Sequence, residues 1–185
     1  MNDYEKRDSL ARLWPLIKEE PALFADKFLL RNEKGQPWKL SRYQRRVIAA
    51  MFRRPFPIRI DAGTEEEREN LLAAVLVLWW AIVTPSTEII VAANDLDQSV
   101  GRVFATMVAL IKKNPGLLSI CTILAERILF KNGTIVSAIA SEYKGVAGSR
   151  HSLVVYDELW GYSSEKCPTL VGRASSRPRS RMPGS

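Results

Sequence analysis

The sequence predicts an α/β fold in which helices flank a mostly parallel sheet, preceded by a helical N-terminal portion of the same domain. Pro57–Asp61 is a short strand candidate, Thr87–Ala93 is an apolar strand candidate and Leu153–Tyr156 is a buried one. The first two are each followed by a longer helical pattern, at Glu65–Ile82 and Asp95–Lys113. Parallel neighbours need a crossover connection of this kind, so the alternation favours a parallel sheet.

The N-terminal portion contains helical patterns. Asp3–Glu20 has apolar residues at helical spacing, but Pro15 lies inside the pattern and is expected to break or kink the helix. A second, short helix is expected at Pro21–Leu30. Ser41 is a suitable N-cap for a third helix that ends near Phe52.

Between the second and the last strand candidates the pattern changes to short strands. These are Ser119–Leu124, Arg127–Phe130 and Thr134–Ala140, and Lys131–Gly133 is expected to form a hairpin turn between the last two. The polar segment Asn94–Gln98 is best explained as the cap of the helix that follows it.

These patterns divide the chain into a helical portion at residues 1–55, a core at 56–171 and a basic tail at 172–185. The tail has no apolar periodicity and is expected to be disordered. The net charge of +7 at pH 7 is compatible with nucleic-acid binding. Four arginines lie in the tail with no acid among them, so the rest of the chain has only a mild excess of positive charge.

Several classes of protein are disfavoured. The longest apolar run, within Leu71–Val83, is too short for a confident bilayer span and is predicted to be a buried helix. The N-terminal residues do not resemble a signal peptide. Cys121 and Cys167 lack metal-ligand spacing and are expected to be reduced. The single histidine, His151, excludes a histidine-rich metal site and gives little support to a serine or cysteine triad.

The strand Leu153–Tyr156 is followed directly by Asp157 and Glu158. A buried strand that delivers two adjacent carboxylates to its C-terminal end suits nucleotide hydrolysis. Asp157 can hold Mg²⁺, and Glu158 can orient the attacking water. A core strand followed by a helix with acids in its first turn gives the same pattern, so the motif alone leaves both interpretations open.

Arg59–Ala74 has the order of strand, turn and long helix that a phosphate-binding loop requires. In the pattern GxxxxGK[ST], backbone N–H groups cradle the phosphates and a lysine neutralises them. Here the frame starts at Gly63 and places Arg68, Glu69 and Asn70 where glycine, lysine and serine or threonine belong. The four glutamates of the segment would repel a triphosphate, so a solvated acidic helical turn explains its spacing better.

Two more segments are candidates for ligand contact. The amide of Gln44 can donate to and accept from an adenine edge, and Tyr43 can stack on the ring. A surface glutamine beside a core tyrosine is the simpler explanation of an isolated pair. The loop Gly145–His151 has two glycines and Arg150, which suit phosphate or DNA but also an ordinary flexible loop.

Four segments together resemble the large terminase subunit of tailed phages. They are WKLSRYQ at Trp38–Gln44, EIIVAANDLDQ at Glu88–Gln98, EYKGVAGSRH at Glu142–His151 and LVVYDELWGYSS at Leu153–Ser164. The resemblance implies an ATPase domain of the P-loop (ASCE) type. In that family this domain precedes an RNase H-like nuclease domain and assembles as a ring on the portal, where ATP turnover pumps DNA into the capsid.

The resemblance also implies roles for individual residues, with ATP and Mg²⁺ as cofactors. Asp157 would be the Mg²⁺ carboxylate and Glu158 the catalytic glutamate, and Tyr43 and Gln44 would contact adenine. The phosphate-binding segment would be formed by Gly63, Thr64, Glu69 and Asn70. In some relatives an arginine near this segment reaches a neighbour's γ-phosphate, and the nearest candidates here are Arg59 and Arg68.

Two departures from the family pattern bear on activity. Glu69 stands where the phosphate-binding lysine belongs, which puts hydrolysis in question. The sequence also ends soon after the Asp157–Glu158 pair, so neither the coupling motif nor nuclease activity is expected.

The partners implied by the resemblance are double-stranded DNA, the portal and the small terminase subunit. A homo-oligomeric ring is expected in the full-length assembly and a monomer for this fragment, in the host cytoplasm and without a membrane. The alternative is a hydrolysis-impaired DNA-binding or assembly module that keeps the ATPase fold.

Overall fold

The computed structural model describes residues 12–53, 66–93, 101–140 and 151–156 of the 185-residue chain, and it contains six helices and five strands within those ranges. The helices are α1 (12–19), α2 (Pro21–Phe28), α3 (Arg42–Arg53), α4 (Glu66–Val83), α5 (Arg102–Lys113) and α6 (Pro115–Leu118). The strands are β1 (Glu88–Ala93), β2 (Cys121–Ile123), β3 (Arg127–Phe130), β4 (Ile135–Ala140) and β5 (His151–Tyr156).

The five strands form one sheet in the order β2-β3-β4-β1-β5. The pairs β1–β4 and β1–β5 are parallel, whereas β2–β3 and β3–β4 are antiparallel. The prediction of a mostly parallel sheet is therefore correct for the three strands β4, β1 and β5 only. The antiparallel part follows from the hairpin at Lys131–Gly133, which was also predicted: Gly133 has φ +86°, and its N–H donates to the carbonyl of Phe130 at 2.9 Å.

The predicted N-terminal helices are present from residue 12 on, with one correction, and residues 3–11 of the first prediction lie outside the described residues. Residues 12–19 are helical without interruption at Pro15, so the expected break is wrong for this stretch. The next turn closes normally, since the N–H of Glu20 donates to the carbonyl of Leu16 at 2.9 Å. A proline removes only its own N–H bond and crowds the turn before it, which leaves the following turn intact. The helix α2 starts with Pro21 at its first position, where the missing N–H is not needed.

The helix α4 forms the centre of the hydrophobic core. Val75, Val77 and Leu78 are fully buried although they point in different directions around the helix, so α4 is covered on all sides. It packs mainly against α5 and α2, and Met107 of α5 lies in the same cluster. The buried-helix prediction for Leu71–Val83 is confirmed. None of the helices in the described ranges has the length and apolar character to cross a membrane.

Side chains of the turn between β3 and β4 bind the C-terminal end of α4 and the residue after it. Asn132 Nδ2 donates to the carbonyls of Ala81 at 2.8 Å and Ile82 at 3.2 Å. Thr134 Oγ1 donates to the carbonyl of Thr84 at 2.7 Å. These bonds satisfy carbonyls that the end of a helix leaves without partners. They place this end of α4 beside the turn that precedes β4, at the edge where the parallel strands begin.

The helix after β1 starts later than the sequence predicts. Gly101 precedes α5 with φ 34° and ψ 140°, so it is not helical, and a continuous helix from Asp95 is wrong. Glycine is disfavoured inside helices and adopts positive φ without strain, which makes it a natural boundary here. The N-cap of α5 is therefore Gly101 and not a residue of Asn94–Gln98, a segment that lies outside the described residues.

Cys121 at the start of β2 offers a direct check of this packing. It is a free thiol, its Sγ donates to the carbonyl of Leu117 at 3.3 Å, and burial raises its pKa above the ordinary value. A raised pKa lowers the thiolate fraction at neutral pH. We expect Cys121 in a Cys167→Ser variant to react with iodoacetamide at pH 7.5 at least several-fold more slowly than in the urea-unfolded protein. Equal rates in the folded and unfolded states would contradict this packing.

Candidate functional site

A groove in the described part of the chain lies between the N-terminal segment and α4. Its volume of about 510 Å³ is in the range of small-molecule sites, roughly 300–1,000 Å³. Three structural units line it: the turn between Arg31 and Pro37, the start of α3, and Leu71 of α4. The lining residues are Asn32, Glu33, Lys34, Gln36, Pro37, Trp38, Lys39, Ser41, Gln44 and Leu71.

Asn114, the residue that ends α5, fixes the turn to the rest of the domain. Its Oδ1 accepts the N–H groups of Leu30 at 2.6 Å and Arg31 at 3.0 Å. Its Nδ2 donates to the carbonyls of Arg31 and Leu110, both at 2.8 Å. The side chain is only 1% exposed, so all four bonds are sheltered from competing water. The groove wall is therefore attached to α5 through one side chain.

The turn is also rigid in itself. Asn32 Oδ1 accepts the N–H groups of Lys34 at 3.1 Å and Gln36 at 2.8 Å, which is the local bonding that favours asparagine in turns. Gly35 adopts φ +81°, the left-handed conformation that glycine allows. The turn closes with a β-bridge between Arg31 and Pro37. Glu33, Lys34 and Gln36 are thus presented to the groove on a fixed backbone.

Gln44 enters the groove from the first turn of α3. The Ser41 hydroxyl accepts the Gln44 N–H at 3.1 Å, and Gln44 Oε1 accepts the Ser41 N–H at 2.9 Å. This reciprocal pair is a capping box, so the predicted N-cap at Ser41 is confirmed. Because Oε1 is used by the cap and Gln44 is 7% exposed, its amide has one orientation, with Nε2 as the remaining donor group.

Two buried polar atoms among the groove-lining residues have no hydrogen-bond partner in the described structure. They are the indole Nε1 of Trp38, a donor, and the carboxyl Oε2 of Glu33, an acceptor. A buried polar group without a partner costs about 1–3 kcal/mol, so such groups are rare unless a ligand or water completes them. The groove lining therefore contains the apolar Leu71 together with two residues, Trp38 and Glu33, that each carry a buried polar atom without a partner in the described structure.

The structure separates the two residues predicted to contact adenine. Gln44 lines the groove, but Tyr43 is 59% exposed and is not among the lining residues. Neighbours on a helix point about 100° apart, which agrees with only Gln44 of the two lining the groove. Trp38, Glu33 and Leu71 were missed as individual site residues. Trp38 stood in the segment used for the resemblance, and its signal was an aromatic with a polar edge six residues before Gln44.

The residues predicted to bind phosphate lie partly outside the described structure. Arg59, Gly63 and Thr64 are outside it, whereas the backbones of Arg68, Glu69 and Asn70 belong to the first turns of α4. Asn70 is half-buried and immediately precedes Leu71, which lines the groove. The groove thus adjoins the helix start that follows the predicted phosphate-binding turn.

The predicted metal and catalytic residues, Asp157 and Glu158, also lie outside the described residues. The strand before them is present: β5 ends at Tyr156, which pairs in parallel with Ala92 of β1. Ligands of open parallel sheets bind at the edge where such strands end. Within the described ranges no group of three or more His, Cys, Asp or Glu side chains is placed to hold a metal ion.

Comparison with known proteins gives one informative result. No protein-family model matches the chain, and no curated protein matches it either. Among solved structures, the chain is similar to the crystal structure of the HK97 bacteriophage large terminase, with a TM-score of 0.69 and 20% sequence identity. The similarity covers 86% of this chain and 36% of that one, so this chain spans little more than a third of its neighbour's length. The terminase-like fold that the four segments implied is thereby confirmed.

Proposed function

We propose that this chain is the ATP-binding domain of a viral DNA-packaging motor, and that the groove beside α4 takes the adenine of ATP. The observation that carries the proposal is the groove itself. It brings Trp38 and Gln44, both from a segment that resembles the large terminase subunit, against Leu71 of α4. The similarity to the HK97 terminase fold supports it at the level of architecture.

The groove offers the groups that adenine needs. The N–H of Trp38 and the Nε2 of Gln44 can donate to ring nitrogens, and Oε2 of Glu33 can accept from the exocyclic amino group. Leu71 and the Trp38 ring supply apolar contact for the base. Both polar atoms are buried in the described structure, so a base bound here would reach them once the Trp38 and Glu33 side chains turn toward the groove.

The remaining parts of the reaction are assigned from the sequence. Asp157 would hold Mg²⁺, which neutralises charge on the phosphates when bound. Glu158 would orient the attacking water as general base. Support comes from β5, whose end at Tyr156 presents the chain at the edge where the parallel strands of the sheet end.

A Gln44→Glu variant separates binding from folding. Glutamate keeps the oxygen that accepts the Ser41 N–H, so the capping box and the melting temperature should be preserved. It loses the Nε2 donor and adds a negative charge beside a nucleotide. We expect affinity for ATP, measured by isothermal titration calorimetry, to fall at least about tenfold, the value of one hydrogen bond to a ligand.

Two matched variants complete this test. Trp38→Phe keeps an apolar ring and removes only the indole donor, and it should also lower the affinity for ATP. Tyr43→Phe, outside the groove, should leave affinity unchanged. If Gln44→Glu and Trp38→Phe both bind ATP as the parent does, the adenine does not occupy this groove.

A second function is favoured by the charge at the start of α4. Glu65, Glu66, Glu67 and Glu69 belong in sequence to the predicted phosphate-binding segment and would repel a triphosphate. The chain would then be an assembly or DNA-binding module that keeps the fold without hydrolysis. That function predicts DNA or partner binding whose strength is the same with and without ATP.

The wider setting is proposed on the same basis. A packaging motor of this kind would act in the host cytoplasm as a ring on the portal, with double-stranded DNA and the small terminase subunit as partners. Native mass spectrometry of this chain should show a monomer if the ring needs the full-length protein.

A further inference from the structure

The outer face of α3 carries an arginine stripe, defined here by Arg42 and Arg46. The buried face of the helix is marked by Gln44 and Ile48, at 7% and 3% exposure. Arg42 and Arg46 lie four residues apart and about opposite to that face, and both are exposed. Arg53, the last residue of the same helix, follows Arg46 at the seven-residue spacing of two helical turns.

The stripe differs from its neighbour Arg45 in having no acidic partner among the described residues. Arg45 turns toward α2, where its guanidinium lies 2.9 Å from a carboxylate oxygen of Asp26. The sequence around α3 offers few alternatives. Between Glu33 and Asp61 it contains eight lysines and arginines and no acid. The positive charge of this face is therefore not neutralised by nearby sequence.

The position of the arginines is unfavourable for the helix itself. The first turn of α3 contains no acid, although the positive end of the helix dipole favours acids there. Two like charges four residues apart also repel each other. A solvated face with a purely structural role would place such charges at the C-terminal end. A polyanion against this face would offset both effects.

Tyr43 adds a further contact group beside the stripe. It is 59% exposed, a large fraction for an aromatic side chain, and the groove does not use it. Tyrosine hydroxyls and arginine guanidinium groups are both common donors to nucleic-acid phosphates. The exposed face of α3 thus combines two cations and a phenol with no carboxylate among them.

We propose that the arginine stripe and Tyr43 form a contact surface for the phosphate backbone of double-stranded DNA. The contact is independent of base sequence, because it uses guanidinium and hydroxyl donors on an exposed helix face without an element that enters a groove. It rests on the proposed function in that DNA is the partner, and it assigns that partner to one face of the domain. The adenine groove and this surface share α3 but use opposite sides of it.

The test is a salt titration of DNA affinity by fluorescence anisotropy, with a random-sequence duplex and the full chain. Each phosphate contact contributes about 0.9 to the slope of log affinity against log salt. We expect Arg42→Ala/Arg46→Ala to reduce the slope by about 1.8 and to weaken binding about 10–100-fold near 0.1 M salt. Arg42→Lys/Arg46→Lys should keep most of the affinity, since it keeps the charge.

Two control variants remove charge elsewhere. Lys112→Ala/Lys131→Ala removes the same charge from α5 and from the hairpin turn, and it should leave the slope nearly unchanged. Arg173→Ala/Arg177→Ala/Arg179→Ala/Arg181→Ala removes the arginines of the tail. If the tail variant abolishes binding while the stripe variant equals the parent, the proposal is overturned. It is also overturned if the Lys112/Lys131 control weakens binding as much as the stripe variant.

ATP affinity, measured on the same proteins, separates this inference from the proposed function. The stripe variant should bind ATP as the parent does. A parent that binds ATP but no DNA would overturn the stripe and leave the adenine groove standing. A parent that binds DNA through the stripe but does not bind ATP would support the stripe and overturn the adenine groove.

Discussion

Replacing Asn114 with alanine should destabilise the domain by about 3 kcal/mol, the largest stability effect expected for a polar residue outside the apolar core. The change removes four hydrogen bonds at a site that is 1% exposed. It leaves two N–H groups and two carbonyls without their partner. Urea denaturation should show a lower midpoint with an unchanged slope, because the surface exposed on unfolding is the same.

Two related variants define the cause of that loss. Asn114→Asp keeps the oxygen that accepts from Leu30 and Arg31 but loses the donor, so an intermediate loss is expected. Asn32→Ala removes an asparagine from the exposed turn and should cost only about 1 kcal/mol. If Asn114→Ala costs no more than Asn32→Ala, the attachment of the groove wall to α5 does not stabilise the fold.

Changing Glu69 to lysine should raise ATP turnover about 100-fold, the largest functional effect expected for a single substitution. The backbone of Glu69 lies in the first turn of α4, where N–H groups and the helix dipole favour an anion. A carboxylate there competes with phosphate, whereas a lysine would stabilise charge on the transferring phosphoryl group. One donor to such charge is worth roughly 100–1,000-fold in rate. Steady-state phosphate release is the measurement.

The controls for this variant test charge and catalysis separately. Glu69→Gln removes the repulsion without adding a cation and should give a smaller gain. Glu158→Gln in the Glu69→Lys background should return turnover to the level of the parent, because the general base is lost. Unchanged turnover in Glu69→Lys would mean that Gly63–Asn70 is not the phosphate site. Turnover that survives Glu158→Gln would remove the catalytic role of that residue.

Much of the fold could be predicted because its patterns are local. The fully buried Ile89 and Val91 of β1 stand in an apolar run of strand length, and the buried stretch of α4 is apolar on every side. The order of strands could not be predicted this way. Pairing of β5 with β1 joins residues about 60 positions apart, and no local pattern encodes which neighbour a strand takes. The late start of α5 could not be predicted from the apolar pattern, because a single glycine occurs both inside a helical pattern and at its boundary.

The candidate site, too, was predictable where local sequence is informative and unpredictable where tertiary contacts decide. Gln44 could be identified from its residue type and segment, but its second task as a capping partner of Ser41 became clear only from the hydrogen bonds. Glu33 could not be identified at all, since a glutamate in a polar turn is ordinary. Its significance comes from an Oε2 atom buried by the fold without a partner in the described structure. Tyr43 was assigned beside Gln44 by adjacency, whereas helical geometry directs the two side chains apart.

The attachment of the groove wall through Asn114 also sets an order of events in time. Leu30 and Asn114 are 84 residues apart, so the hydrogen bonds that fix the wall cannot form until α5 has been synthesised. Domains made on the ribosome fold as their segments emerge, N-terminal parts first. Here Phe24 and the apolar side of α2 stay uncovered after synthesis of the N-terminal helices, until the later helices that pack with them have been made. The groove beside α4 is therefore among the first parts of the chain to be made and among the last to be completed.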